Sequence, residues 1–242
     1  MAKEYSLKPA IRQPSVVPYL LNGESAPAIL EDYNQLVDSD FQGNSNLKVL
    51  ELKDVNKTPT IVGSNSLVLP VVQRLIPGRR IGRPEDLQRT LNDGDTLSIR
   101  GNHYVDLGLV LDFSGRNHEM ALDFYQQLSK ELQGFEGLPA VVVGYDIKNF
   151  DRGNYNLGLV RTDKTQVRHS PILTGKSGKF SHKDVSLETG LPSKLEGGDR
   201  TLYTVSQNAK SLDNIGLSGV YLNGVLIVNS GNDDLARMTV VG

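Results

Sequence analysis

The chain has 242 residues, 38% of them hydrophobic, and sets 26 basic against 28 acidic side chains for a net charge of −2. That length and apolar content support a real core rather than disorder throughout, and the near balance of charge excludes a surface basic all over while leaving room for a local patch. Zero cysteines exclude disulfides, thiolate catalysis and sulfur-ligated zinc, and the absence of tryptophan with only 6% aromatics weakens the readings built on dense stacking platforms.

No apolar run passes about ten residues, where about 20 are needed to span a bilayer. Residues 1–8 lack the apolar core and cleavage site of a secretory signal, so a cytoplasmic address without membrane contact is expected.

In chain order, residues 1–24 carry Pro9, Pro14 and Pro18 without apolar periodicity and read as an extended arm. A helix is predicted from Ser25, with Pro27 in its first turn and Ile29, Tyr33, Leu36 and Val37 on one face, ending near Asp38. Residues 47–53 and 59–62 are strand candidates. Leu67, Val68, Val71, Val72, Leu75 and Ile76 make a helical stripe that tolerates Pro70 in the first turn and stops at Pro77-Gly78. A shorter helix begins at Pro84 and presents Leu87 and Leu91.

Residues 96–100 and 104–113 flank Gly101-Asn102, a hairpin signal. A helix over 117–133, with Ala121, Tyr125, Leu128 and Leu132 on one face and Gly134 as its stop, leads to a buried strand over 139–147. Residues 104–147 thus form a candidate βαβ unit, right-handed with parallel strands if both join one sheet. Beyond Asn149 the pattern is short strands without a helical stripe, and Asn223-Gly224 between the apolar runs of 218–228 predicts a hairpin. Leu107-Gly108-Leu109-Val110 recurs as Leu157-Gly158-Leu159-Val160, read as glycine relieving crowding in buried strands.

The expected fold class is α/β to α+β. It comprises a mixed sheet with one βαβ unit and an N-terminal helical layer, followed by a β-rich C-terminal portion with hairpins. The divisions are an arm (1–24), an α/β portion (25–150) and a β-rich portion (151–242), packed as one body or parted near residues 150–154.

Familiar signatures are missing. Gly175-Lys176-Ser177 echoes the end of a phosphate loop, but Ser170 stands where its first glycine belongs. There is no Gly-x-Gly-x-x-Gly and no Gly-x-Ser-x-Gly. His103, His118, His169 and His182 never fall at helical ligand spacing, so neither a metal nor a cofactor is expected.

Two candidate sites remain. Topology places Asp112, Ser114, Arg116 and His118 after the first strand of the βαβ unit and Tyr145, Asp146 and Lys148 after the second. Asp112, His118 and Asp146 are the catalytic candidates, because a carboxylate, an imidazole and a lysine at adjoining strand ends can polarise a substrate or exchange protons, a histidine near its free pKa serving as acid or base. Polar residues also gather at strand ends simply because strands end at the surface.

The second candidate is electrostatic. Arg161, Lys164, Arg168, Lys176, Lys179 and Lys183 face a single acid, Asp163, with Phe180 as an aromatic for stacking. Arg74, Arg79, Arg80, Arg83 and Arg89 form another basic run, offset by Glu85 and Asp86. The blander reading of both runs is a solvated face paired with acids elsewhere.

Arg200-Thr201-Leu202-Tyr203, then Gly216-Leu217-Ser218-Gly219-Val220-Tyr221-Leu222-Asn223 and the ending Ala236-Arg237-Met238-Thr239-Val240-Val241, resemble a group of uncharacterised proteins of small-genome archaea. The resemblance covers roughly the last 90 residues and implies an archaeal, intracellular origin and no chemistry. Arg200 and Arg237 are the polar positions within it to test first.

The favoured reading is a non-enzymatic binding protein that engages RNA, a ribonucleoprotein or a protein partner through its basic β-rich half. The alternatives are a small-molecule site or enzyme at the ends of the βαβ strands, and an assembly protein whose 218–228 hairpin extends a partner's sheet.

Overall fold

The computed structural model describes residues 18–92, 105–151, 155–174, 176–204, 207–222, 226–229 and 237–241. The expected hairpin turn at Gly101-Asn102 and the Asn223-Gly224 turn lie outside them.

Residues 18–20 of the arm form strand β1 (Pro18–Leu20), with Leu20 and Leu21 buried. α1 (Ala26–Asp40) follows with Pro27 in its first turn, where a missing N–H leaves no helical bond unmade. Its Ile29, Tyr33 and Val37 are buried, and the Tyr33 hydroxyl donates to the Leu47 carbonyl at 2.7 Å. β2 (Glu51–Val55) and β3 (Thr58–Val62) pair antiparallel around Asn56 and Lys57, both at positive φ, 53° and 63°, as a two-residue hairpin turn demands. The strand expected from residue 47 begins only at Glu51, because Leu47 and Leu50 anchor the preceding turn in the core.

α2 (Val68–Leu75) carries Pro70 in its first turn, and Asn65 Oδ1 caps it by accepting from the N–H groups of Leu67 (2.8 Å) and Val68 (3.2 Å). β4 (Arg80–Ile81) and α3 (Pro84–Asn92) come next. β5 (Val105–Asp112) is buried along its whole length. The helix expected over 117–133 divides at Leu128 into α4 (His118–Gln127) and α5 (Ser129–Leu132).

β6 (Ala140–Val143) ends at Gly144. Its φ is +73°, and a Cβ there would stand 2.3 Å from the Lys164 carbonyl oxygen. The strand expected over 139–147 therefore splits, and β7 (Asp146–Asn149) turns aside to pair with β8 (Leu157–Val160). β9 (Gln166–His169), β10 (Gly178–Phe180), β11 (Arg200–Tyr203), β12 (Gly216–Leu222), β13 (Leu226–Asn229) and β14 (Arg237–Val241) complete the order.

The fold is α+β. Among the described residues ten strands make one mixed sheet, whose main path runs β1-β14-β5-β12-β13-β11-β10. The arm, the α/β portion and the β-rich portion all contribute strands to it. β12 and β13 form the expected antiparallel pair, Val220 opposite Val228. β5 and β6 lie side by side, as a strand–helix–strand unit requires, but they run antiparallel. The reason is the path after α4: α5 and the 3₁₀ turn Gly134–Gly137 return Ala140 to Leu111, at the end of β5 that the chain has just left.

β5 organises the sheet. β12 covers one edge entirely; on the other, β14 pairs parallel at Val105 and Asp106, and β6 pairs antiparallel from Leu109 to Leu111. Opposite Val220 the register skips Leu107, a β-bulge at whose Gly108 φ is +140°. A bulge inserts one residue and so reverses the inward–outward alternation. Val105 and Leu107 thus join the core shared with Leu87, Phe180 and Leu202, whereas Leu109 and Leu111 join the core under α1, α2 and α4. Among the described residues no helix is long and apolar enough to cross a membrane.

Candidate functional site

The three catalytic candidates have different partners. Asp112, fully buried, accepts from Ser218 Oγ at 2.6 Å and from the Ser114 N–H at 2.8 Å, which closes the turn after β5. His118 opens α4 with Nδ1 3.0 Å from the Ile215 carbonyl oxygen. Asp146 opens β7 and accepts from Arg74 Nη2 at 2.9 Å, the same arginine lying 5.0 Å over the Phe41 ring. Tyr145 donates its hydroxyl to the Ser66 carbonyl at 2.7 Å. These contacts tie loops to neighbouring elements, and none of them joins two of the three candidates.

The six basic candidates divide as well. Arg161 pairs with Glu131 at 2.5 Å, and Lys164 is exposed in the loop between β8 and β9. Arg168 sits on β9 with its side chain 13% exposed and Nη1 2.5 Å from Glu85 Oε2. Lys176, Lys179 and Lys183 stand in solvent on and around β10, at the opposite margin of the sheet from β9. Phe180 is fully buried, so the aromatic expected to stack is a core residue.

Arg80 and Arg83 of the second basic run belong to an internal frame, which their charge pattern alone did not disclose. Although α3 begins Pro-Glu-Asp, its Glu85, Asp86 and Gln88 are all buried. The Arg80 guanidinium grips both Asp86 oxygens, and the Arg83 N–H adds a bond to Asp86 at 2.9 Å. Arg83 Nη1 and Arg168 Nη2 each donate to Gln166 Oε1 at 2.9 Å, and Arg200 Nη1 donates to Gln88 Oε1. The planar guanidinium suits such two-point contacts, and together they fasten α3 to β4, β9 and β11.

β11 alternates sharply: Arg200 and Leu202 are buried, while Thr201 is half-buried and Tyr203 is 50% exposed. On β10 the same alternation sends Phe180 inward and Lys179 outward, and the register sets Lys179 opposite Thr201. The Thr204 N–H donates to Ser177 Oγ at 3.0 Å and so holds the segment carrying Lys176 beside the end of β11. Cross-strand register places Tyr203 level with Ile227, and Ile227 with Tyr221. The helical layer reaches β12 through α4, and the core beneath it has no member from β10 or β11. On that same face Lys179 and Tyr203 are exposed and Thr201 is half-buried. Arg-Thr-Leu-Tyr carries no strict apolar–polar alternation that would single out Tyr203, since Arg200 takes an inward place beside Leu202.

One buried titratable group lies away from this face. Asp106, on β5 beside the bulge, accepts from Ser64 Oγ at 3.0 Å and from the Gly108 N–H at 3.4 Å. Full burial outweighs these bonds and pushes its carboxyl up to about 7.

Compared with known protein families, curated proteins and solved structures, the chain finds no match.

Proposed function

We propose that this chain is a non-enzymatic binding protein that takes single-stranded RNA on the outer face of β10 and β11. The observation that carries the reading is a half-exposed tyrosine, Tyr203, on a solvent-facing strand next to the one that presents Lys179 outward. An aromatic on an open strand offers a base a stacking surface worth about 1–3 kcal/mol, and nearby ammonium groups meet the phosphates. Lys176, Lys179 and Lys183 supply those charges; Arg161 and Arg168, held by Glu131 and Glu85, support the fold instead.

The test is the anisotropy of a fluorescently labelled 12-nucleotide oligouridylate titrated with the full chain across a salt series. Three phosphate contacts give a log–log salt slope of about −2 on a single strand. Tyr203→Ala is expected to weaken binding about fivefold or more at every salt concentration, since stacking is not ionic. Binding that is absent, or indifferent to salt and to Tyr203, would overturn the reading.

A further inference from the structure

A sheet whose central strand changes neighbours part-way along one edge must leave a gap there. On β5 the hand-over from β14 to β6 falls between Asp106 and Leu109, so Leu107 and Gly108 have neither strand beside them on that edge. Ser66 Oγ satisfies the Gly108 carbonyl at 3.1 Å, and the remaining space is a cavity of about 50 Å³. About 10–15 Å³ in this measure holds one water, so three or four non-hydrogen atoms fit and a nucleotide does not.

The walls are of two kinds. Leu69, Leu107 and Val143 make an apolar side, and Arg80 and Arg83 a cationic one. Gln73, also on the wall, is occupied: its Nε2 donates to the Arg79 carbonyl at 2.6 Å and its Oε1 accepts from the Ile81 N–H at 2.8 Å. Arg80 is committed to Asp86. Glu85 spends its closer contact, 2.5 Å, on Arg168 and lies 4.0 Å from Arg83.

Among the described residues Arg80, Arg83 and Arg168 thus share two carboxylates, Glu85 and Asp86, which leaves one positive charge in excess of these acids. Arg83 is its natural location, with a side chain only 17% exposed. Burial, with Arg80 and Arg168 nearby, lowers its pKa from the ordinary arginine value. A buried cation without a full counter-charge is costly, and an anion brought to it offsets that cost.

We propose that this fork in the sheet binds a short-chain monocarboxylate, its carboxylate on Arg83 and its alkyl end against Leu107 and Val143. The apolar side disfavours inorganic phosphate, whose oxygens need donors all round, and the volume limits the chain to about two carbons, the carboxylate carbon included. This site is separate from the RNA reading and does not depend on it.

Sodium acetate, with four non-hydrogen atoms, titrated into the full chain, with the methyl groups of Leu107 and Val143 followed by NMR, tests the proposal. Both residues' methyls are expected to shift saturably with acetate and to stay unmoved by acetamide, its neutral near-isostere, and by sodium chloride at equal ionic strength. Arg83→Gln is expected to weaken the response about tenfold or more, since a charge-assisted bond is lost. Arg83→Lys, which keeps the charge without the fork, is expected to fall between, and it carries the test if Arg83→Gln does not fold. Unmoved methyls, an equal response to acetamide, or an undiminished response in the folded variant would overturn the proposal.

Discussion

The two basic regions of this chain differ in residue type as well as in place. The frame around α3 uses arginine throughout: Arg80, Arg83, Arg168 and Arg200. The open margin at β10 uses lysine throughout: Lys176, Lys179 and Lys183. Guanidinium is planar and weakly hydrated, so it tolerates burial where two acceptors converge, whereas a compact ammonium holds its water and stays outside. A basic stretch read only as charge cannot separate these fates; the choice of cation goes some way toward doing so.

Breaking the frame has the largest expected effect. Glu85→Ala leaves Arg168 and Arg83 facing a lost carboxylate and is expected to lower unfolding free energy by about 3–5 kcal/mol, measured by urea denaturation. Next comes Asp106. Its carboxyl holds a proton in the folded chain up to about pH 7 but loses it near the ordinary 3.8 when unfolded. Stability is therefore highest at low pH on this account, falls as pH rises from about 4, and levels off above about 7, a change of roughly 4 kcal/mol. Asp106→Asn is expected to flatten that dependence, as denaturation midpoints between pH 5 and 8 would show.

Smaller substitutions sharpen the contrast. Arg80→Lys keeps the charge but loses one of two bonds to Asp86, for an expected loss of about 1.5–3 kcal/mol by thermal unfolding. Lys179→Arg, the reverse exchange on the open margin, is expected to change stability by less than about 0.5 kcal/mol. If the two exchanges cost the same, the division between frame and face is wrong.

Much of the architecture was legible because it rests on local patterns. The stripes that became α1 and α2, the tolerance of Pro27 and Pro70, and the pairing across residues 218–228 follow from side-chain periodicity and turn chemistry. The direction of β6 was not legible, since it depends on where α5 and the turn at Gly134–Gly137 deliver the chain. Nor was the bulge at Gly108, which decides that Leu107 and Leu109 face opposite cores. Glu85 and Asp86 read as solvated charges because their partners lie on β9 and β4, and no local pattern reports a contact with Arg168, 83 residues along. The lysines of the open margin could be named from charge, but Tyr203 could be chosen over Phe180 only once the register of β10 and β11 was fixed.

The central claim is that a base stacks on Tyr203, and the absence of tryptophan from the chain makes it directly testable. Tyr203→Trp introduces a sole indole on the open face, whose emission can be followed as oligouridylate is added. The account expects saturable quenching that tracks the anisotropy curve and is lost at high salt. Binding that leaves the indole emission unchanged, or no binding at all, would contradict it.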